Sequence, residues 1–184
     1  MIEELIKKIA QCLDEDNIPY MIIGGQAVLL YGSPRLTRDI DITLGIDTDK
    51  FPLVENICNK LGLKILPEDP KAFAAETKVL PAENTELGIR VDFIFSFTEY
   101  ESQAMDRTKS VLMDGYPVKF ASCEDVIIHK MIAGRAIDVE DIKNILIKNK
   151  NSLNIEYIKK WLLEFSKISE QREILEKFNS LLEQ

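Results

Sequence analysis

The sequence predicts an α/β fold of the α+β kind, a mixed sheet flanked by helices with a helical C-terminal segment. Three observations carry that expectation. Short apolar or alternating runs, the mark of buried and half-buried strands, occur at Tyr20–Ile23, Thr37–Leu44 and Gly88–Phe95. Stretches with apolar residues at helical spacing accompany them at 2–14 and 49–61. From residue 122 onward the patterning is helical to the end.

The elements follow in order. Residues 2–14 set Ile2, Leu5, Ile6, Ile9 and Leu13 on one helical face, and Asn17, Ile18 and Pro19 break that helix. The buried strand Tyr20–Ile23 ends at Gly24-Gly25, and a short helix is expected from Gln26 to Tyr31. Gly32-Ser33-Pro34 is a turn. The strand expected over Thr37–Leu44 alternates strictly, with Ile40, Ile42 and Leu44 on one face and Asp39, Asp41 and Thr43 on the other. Residues 67–87 are rich in Pro and Glu and read as irregular chain or a hairpin. In Gly88–Phe95, Ile89, Val91, Phe93 and Phe95 share one face, leaving Arg90, Asp92 and Ile94 on the other. A short helix near 98–107 and a hairpin over 109–120, turning at Asp114-Gly115, come next. Ser122 with Asp125 reads as a capping box before Val126–Ala133. Asp138 with Asp141 begins a further helix, Asn154 another and Ser169 the last. The expected division is a core over 1–121 and a helical segment over 122–184 packed on it.

Composition narrows the function. A chain of 184 residues, 46% of them apolar and 29% charged, suits one domain with a small helical appendage. Cys12, Cys58 and Cys123 are far apart and His129 is the single histidine, which argues against a zinc site or a disulfide framework and fits a reducing cytoplasm. No run of about 18 apolar residues marks a membrane span. The start Met1-Ile2-Glu3-Glu4 lacks the basic, then apolar, pattern of a signal peptide. A net charge of −8 argues against a general nucleic-acid coat protein. Residues 129–160 carry seven basic residues against four acidic ones, readable as a local basic patch or as chance on solvated helices.

The chemistry lies in the acids. On a strand, Asp39 and Asp41 point the same way about 6–7 Å apart. Two such charges repel unless a cation sits between them, and magnesium favours carboxylate oxygens while keeping phosphate oxygens and waters. Asp92 adds a third carboxylate from another alternating stretch, in otherwise apolar surroundings where a charge needs a reason. Three converging carboxylates suit two Mg²⁺ ions, one activating a hydroxyl nucleophile and one holding a triphosphate. Taken singly, a D-x-D is more often surface alternation, and Asp92 alone reads as an edge charge. The upstream Gly24-Gly25 shifts that balance, because glycine lets the backbone approach a ligand and the helix behind it offers free N–H groups to an anion. The turn has neither the G-x-G-x-x-G of a dinucleotide fold nor the G-K-[ST] of a P-loop.

The stretch Gly24-Gly25-Gln26-Ala27, followed by Gly32, Arg35, Thr37 and Asp39-Ile40-Asp41, resembles the signature of the nucleotidyltransferase superfamily related to DNA polymerase β. The G-G-x-A form with R-x-T-x-D-I-D looks most like the AbiEii-type toxin nucleotidyltransferases. Glu124 to Arg135, with Asp138 and Asp141 beyond, resembles the lysine-and-aspartate segment that follows the core in those enzymes. The likeness covers roughly residues 20–145. It implies a nucleotidyltransferase-type fold and Mg²⁺-dependent transfer of an NMP from an NTP such as ATP to a hydroxyl. The resemblance implies Asp39, Asp41 and Asp92 as catalytic metal ligands, with Gly24 and Gly25 cradling the β- and γ-phosphates. It makes Lys130 and Arg135 candidate phosphate ligands, and Asp138 and Asp141 further candidates that equally read as the N-cap and first-turn acid of a helix. It implies an RNA acceptor such as a tRNA 3′ end, with a cognate antitoxin as a possible partner. Adenylylation of an antibiotic-like small molecule or of a partner protein is the second expectation, and a catalytically inactive interaction module the third. The Gly-Gly turn departs from the Gly-Ser of the wider superfamily, so no serine hydroxyl meets the phosphate there.

Overall fold

The computed structural model describes residues 1–96, 98–168 and 173–183, as two compact units. The first comprises Met1–Gln26 and Leu36–Ala121 and holds the sheet. It opens with α1 (Ile2–Glu15), whose face of Leu5, Ile6, Ile9, Ala10 and Leu13 is buried. The chain turns at Asn17, with φ 53°, into β1 (Tyr20–Ile23) and then α2 (Gly24–Tyr31), whose first three residues belong to this unit. Then follow β2 (Ile40–Leu44), α3 (Phe51–Lys60), β3 (Lys64–Ile65), α4 (Pro70–Thr77), β4 (Val79–Asn84), β5 (Ile89–Phe95), α5 (Glu99–Asp106), β6 (Lys109–Met113) and β7 (Tyr116–Phe120).

The seven strands run β3-β4-β5-β2-β1-β7-β6 across the sheet. β2 lies parallel to β5 and antiparallel to β1, and β1 lies parallel to β7, so the sheet is mixed. The alternation read from the sequence sets its core face. Ile40, Ile42 and Leu44 from β2 and Val91, Phe93 and Phe95 from β5 are fully or almost fully buried. Each such side chain contributes about 1.5–3 kcal/mol by leaving water.

Three readings change. The strand expected from Thr37 begins at Ile40, so Asp39 lies one residue ahead of β2. The helix behind the glycines starts at Gly24 itself. Residues 67–87 are ordered into α4 and β4, and only β4 makes a hairpin, with β5. In α4 the Asp69 carboxylate accepts from Ala72 N at 3.0 Å and Pro70 occupies the first turn, a start signal that needs no amphipathic stripe. Only Ala74 of that helix is buried, and so no apolar periodicity announced it.

The second unit comprises Ala27–Arg35 and Ser122–Gln184. It contains the rest of α2 with α6 (Cys123–Ala133), α7 (Ala136–Asn149), α8 (Ile155–Ile168) and α9 (Ile174–Leu182). Ser122 caps α6 by accepting from Asp125 N at 3.2 Å, and Gly134, with φ 63°, ends it in the left-handed conformation. α7 starts earlier than Asp138. Arg135 is its N-cap, and Asp138 stands in the first turn with its carboxylate accepting from Arg135 N at 3.1 Å. Asn154 Oδ1 accepts from Tyr157 N at 3.0 Å and starts α8 as expected. Ser169, expected to begin the last helix, lies outside the described residues. Among the described residues no helix is long and apolar enough to cross a membrane.

Candidate active site

β2 and β5 are neighbours with Asp41 opposite Asp92 in the register. Paired residues on adjacent parallel strands share a face, and the strands lie about 4.8 Å apart. The buried partners Ile40–Val91 and Ile42–Phe93 point the other way, so alternation drives both carboxylates onto one side of the sheet. Asp39 precedes them as an exposed residue on the entry to β2, where its backbone oxygen accepts from Gln26 Nε2 at 3.3 Å.

The glycine turn meets these acids from β1. Ile23 pairs with Asp41, and Gly24 follows with φ +62°. A β-carbon built on Gly24 would stand 1.9 Å from Asp41 Oδ2. The Asp41 carboxylate therefore packs against the bare Cα of Gly24, a place where any side chain would collide and where the backbone conformation already favours glycine. Gly25 continues α2, whose first-turn N–H groups lack intrahelical acceptors.

Arg90, two residues before Asp92, shares its face and places Nε 2.9 Å from Asp92 Oδ1. The guanidinium is held above its usual pKa chiefly by that hydrogen bond, with burial opposing and the charges of Asp92, Asp39 and Asp41 assisting. Sequence reasoning set Arg90 on the acidic face without giving it a role, although its two-residue spacing from Asp92 was the available signal.

The donor set is all carboxylate oxygen, which suits a hard divalent cation such as Mg²⁺. Among the described residues no group of three or more His, Cys, Asp or Glu side chains forms a ready-made metal cluster.

Lys130, Arg135, Asp138 and Asp141 come together in the second unit. Lys130 Nζ lies 2.6 Å from Asp138 Oδ1 and 2.9 Å from Asp141 Oδ2, with the lysine only 4% exposed. Arg135 Nε contacts Asp138 Oδ2 at 2.7 Å. Arg35 grips Asp141 with both ends of its fork, at 3.0 and 3.1 Å. Burial works against the Asp138 charge, but the hydrogen bonds from Arg135 and Lys130 outweigh it and hold the carboxyl below its ordinary pKa. The lysine-and-aspartate segment is therefore a closed ion network in this structure.

Residues 1–182 match the family described as "nucleotidyltransferase of unknown function" (DUF6036). No curated protein matches the chain. Among solved structures, the antibiotic-resistance factor ANT(2'')-Ia is similar at 21% identity, over 97% of this chain and 96% of that one, with a TM-score of 0.62. An antigenic nucleotidyltransferase-like protein from Paracoccidioides brasiliensis is similar at 18% identity, over 95% of this chain and 91% of that one, with a TM-score of 0.55. The lincosamide antibiotic adenylyltransferase LnuA is similar at 21% identity, over 72% of this chain and 89% of that one, with a TM-score of 0.50. These likenesses show a shared fold, and the match over nearly the whole chain places this protein in the nucleotidyltransferase family of unknown function DUF6036.

Proposed function

We propose that the protein transfers an NMP from an NTP to the hydroxyl of a small molecule, with release of pyrophosphate, and that it needs a divalent cation. The observation that carries this reading is the Asp41–Asp92 pairing with Asp41 seated on Gly24. Asp39, Asp41 and Asp92 would hold Mg²⁺, which when bound neutralises the triphosphate and favours departure of pyrophosphate. Gly24 and Gly25 present backbone N–H groups to the phosphates. Asp92 receives the proton of the acceptor hydroxyl as its oxygen bonds to the α-phosphorus and the bond to pyrophosphate breaks. Lys130 is better placed as the centre of the ion network than as a phosphate ligand, since its ammonium already carries two carboxylates at hydrogen-bonding distance. Arg135 is likewise engaged, with Nε and Nη2 on the two oxygens of Asp138.

A small acceptor is favoured by the net charge of −8, which opposes a polyanion. Two similar structures point the same way in their own right: ANT(2'')-Ia was solved with adenylyl-2''-tobramycin and LnuA with lincomycin. A second reading, an AbiEii-type toxin that modifies RNA such as tRNA and is held by an antitoxin, rests on the R-x-T-x-D-I-D stretch from Arg35 to Asp41.

The test supplies each α-labelled NTP with Mg²⁺ to a panel of hydroxylated amines and sugars, to total RNA and to a protein extract. Label is expected on a small acceptor, and Asp41→Asn should lower it roughly a thousandfold or more. Label on RNA alone would favour the toxin reading, and full labelling by Asp41→Asn would refute the site.

A further inference from the structure

We propose that Arg90 is a built-in counter-cation of the carboxylate site, a positioning residue that holds Asp92 while no divalent cation is bound and releases it when one arrives. The proposal rests on the transferase reading above. Arg90 and Asp92 project from the same face of β5 and meet at 2.9 Å. The pair is accessible, the arginine side chain 51% and the aspartate 20% exposed, so burial does not lock it.

Asp41 and Asp92 share one face of adjacent strands and repel each other, and Arg90 offsets part of that repulsion with a single charge. A divalent cation supplies two charges and needs the Asp92 oxygens as ligands. Guanidinium and metal would then stand within a few ångströms of each other as like charges, so binding of one works against the other. The arginine has an alternative seat. It lines a groove of about 530 Å³ whose wall also carries Glu68, Asp69, Phe73 and Glu76. Those carboxylates can receive the guanidinium, and the phenyl ring can stack on it.

The test measures Mn²⁺ binding without nucleotide, from the spin-resonance signal of the free ion, in the wild type, Arg90→Gln, Arg90→Lys and Asp92→Asn. Thermal melts establish that each variant is folded. Arg90→Gln should bind Mn²⁺ about tenfold more tightly than wild type, and Arg90→Lys should stay close to wild type because it keeps the charge. Asp92→Asn should bind more weakly. In steady-state transfer, Arg90→Gln should reach its half-maximal rate at about tenfold lower Mg²⁺ than wild type, since the cation no longer has to displace the guanidinium. Wild-type binding with equal affinity in Arg90→Gln would overturn the Arg90 proposal alone. Failure of the wild type to bind Mn²⁺, with or without NTP, would overturn the transferase reading and this inference together.

Discussion

A single methyl group on Gly24 would have to occupy the space of an Asp41 oxygen, which ties a turn residue to the chemistry of a strand. Gly24→Ala should therefore act twice. It should lower stability in urea by about 1–2 kcal/mol, because alanine tolerates the left-handed φ poorly. It should also abolish NMP transfer by displacing the carboxylate. Gly88 offers the control, with φ +61° and nothing within 4 Å of an added β-carbon. Gly88→Ala should show a similar stability loss with transfer retained. A Gly24→Ala enzyme as active as Gly88→Ala would contradict the close packing. The glycine pair was visible in the sequence as a phosphate turn. Its contact with Asp41 was not, because that depends on β1 pairing with β2, and a local pattern does not choose a partner strand. Arg90 differs, since its two-residue spacing from Asp92 was a local signal and only the pairing of the two side chains was not on view.

Among the elements, β2 and β5 give the clearest case of pattern fixing geometry. Alternation alone assigned Asp41 and Asp92 to the polar faces of two strands, and side-by-side pairing then left them one place to be. Asp39 shows the limit, because the pattern extended the strand over a residue that lies on the entry loop. α6 and α7 are joined through Lys130, Asp138 and Asp141, a network that a lysine–aspartate spacing hinted at without showing burial. Lys130→Met removes the buried ammonium shared by Asp138 and Asp141 and leaves each with one arginine partner, Arg135 and Arg35, which should cost about 1.5–3 kcal/mol in urea unfolding. A loss below about 1 kcal/mol would show that the network is solvated. The same network sets an acid limit. The folded-state pKa of Asp138 lies below its ordinary 3.8, so its contribution is complete above that value and is lost as pH falls through the lower folded-state value. Wild type should lose stability below about pH 4, and Asp138→Asn, though less stable at pH 7, should lose less over that window.

For the whole molecule, charge and fold together bear on the acceptor. A chain at −8 with a sequence pI near 4.8 attracts cations over most of its surroundings. If the acceptor is a cationic hydroxylated molecule, its KM should rise several-fold between about 50 and 500 mM salt, as screening shortens the reach of that field. A neutral sugar acceptor should show no such trend. Fold class was legible because alternating runs and helical stretches are local properties. Strand order was not legible, because β3 has two residues and β4 hides behind a helix with little apolar stripe.

Calorimetric titration of a non-hydrolysable NTP with Mg²⁺ into the wild type, Asp41→Asn and Asp92→Asn measures whether these acids make one nucleotide-and-cation site. Saturable binding by the wild type that depends on Mg²⁺ and collapses in both variants is the expected result. Binding that persists unchanged in the variants, or that never appears in the wild type, would contradict the account.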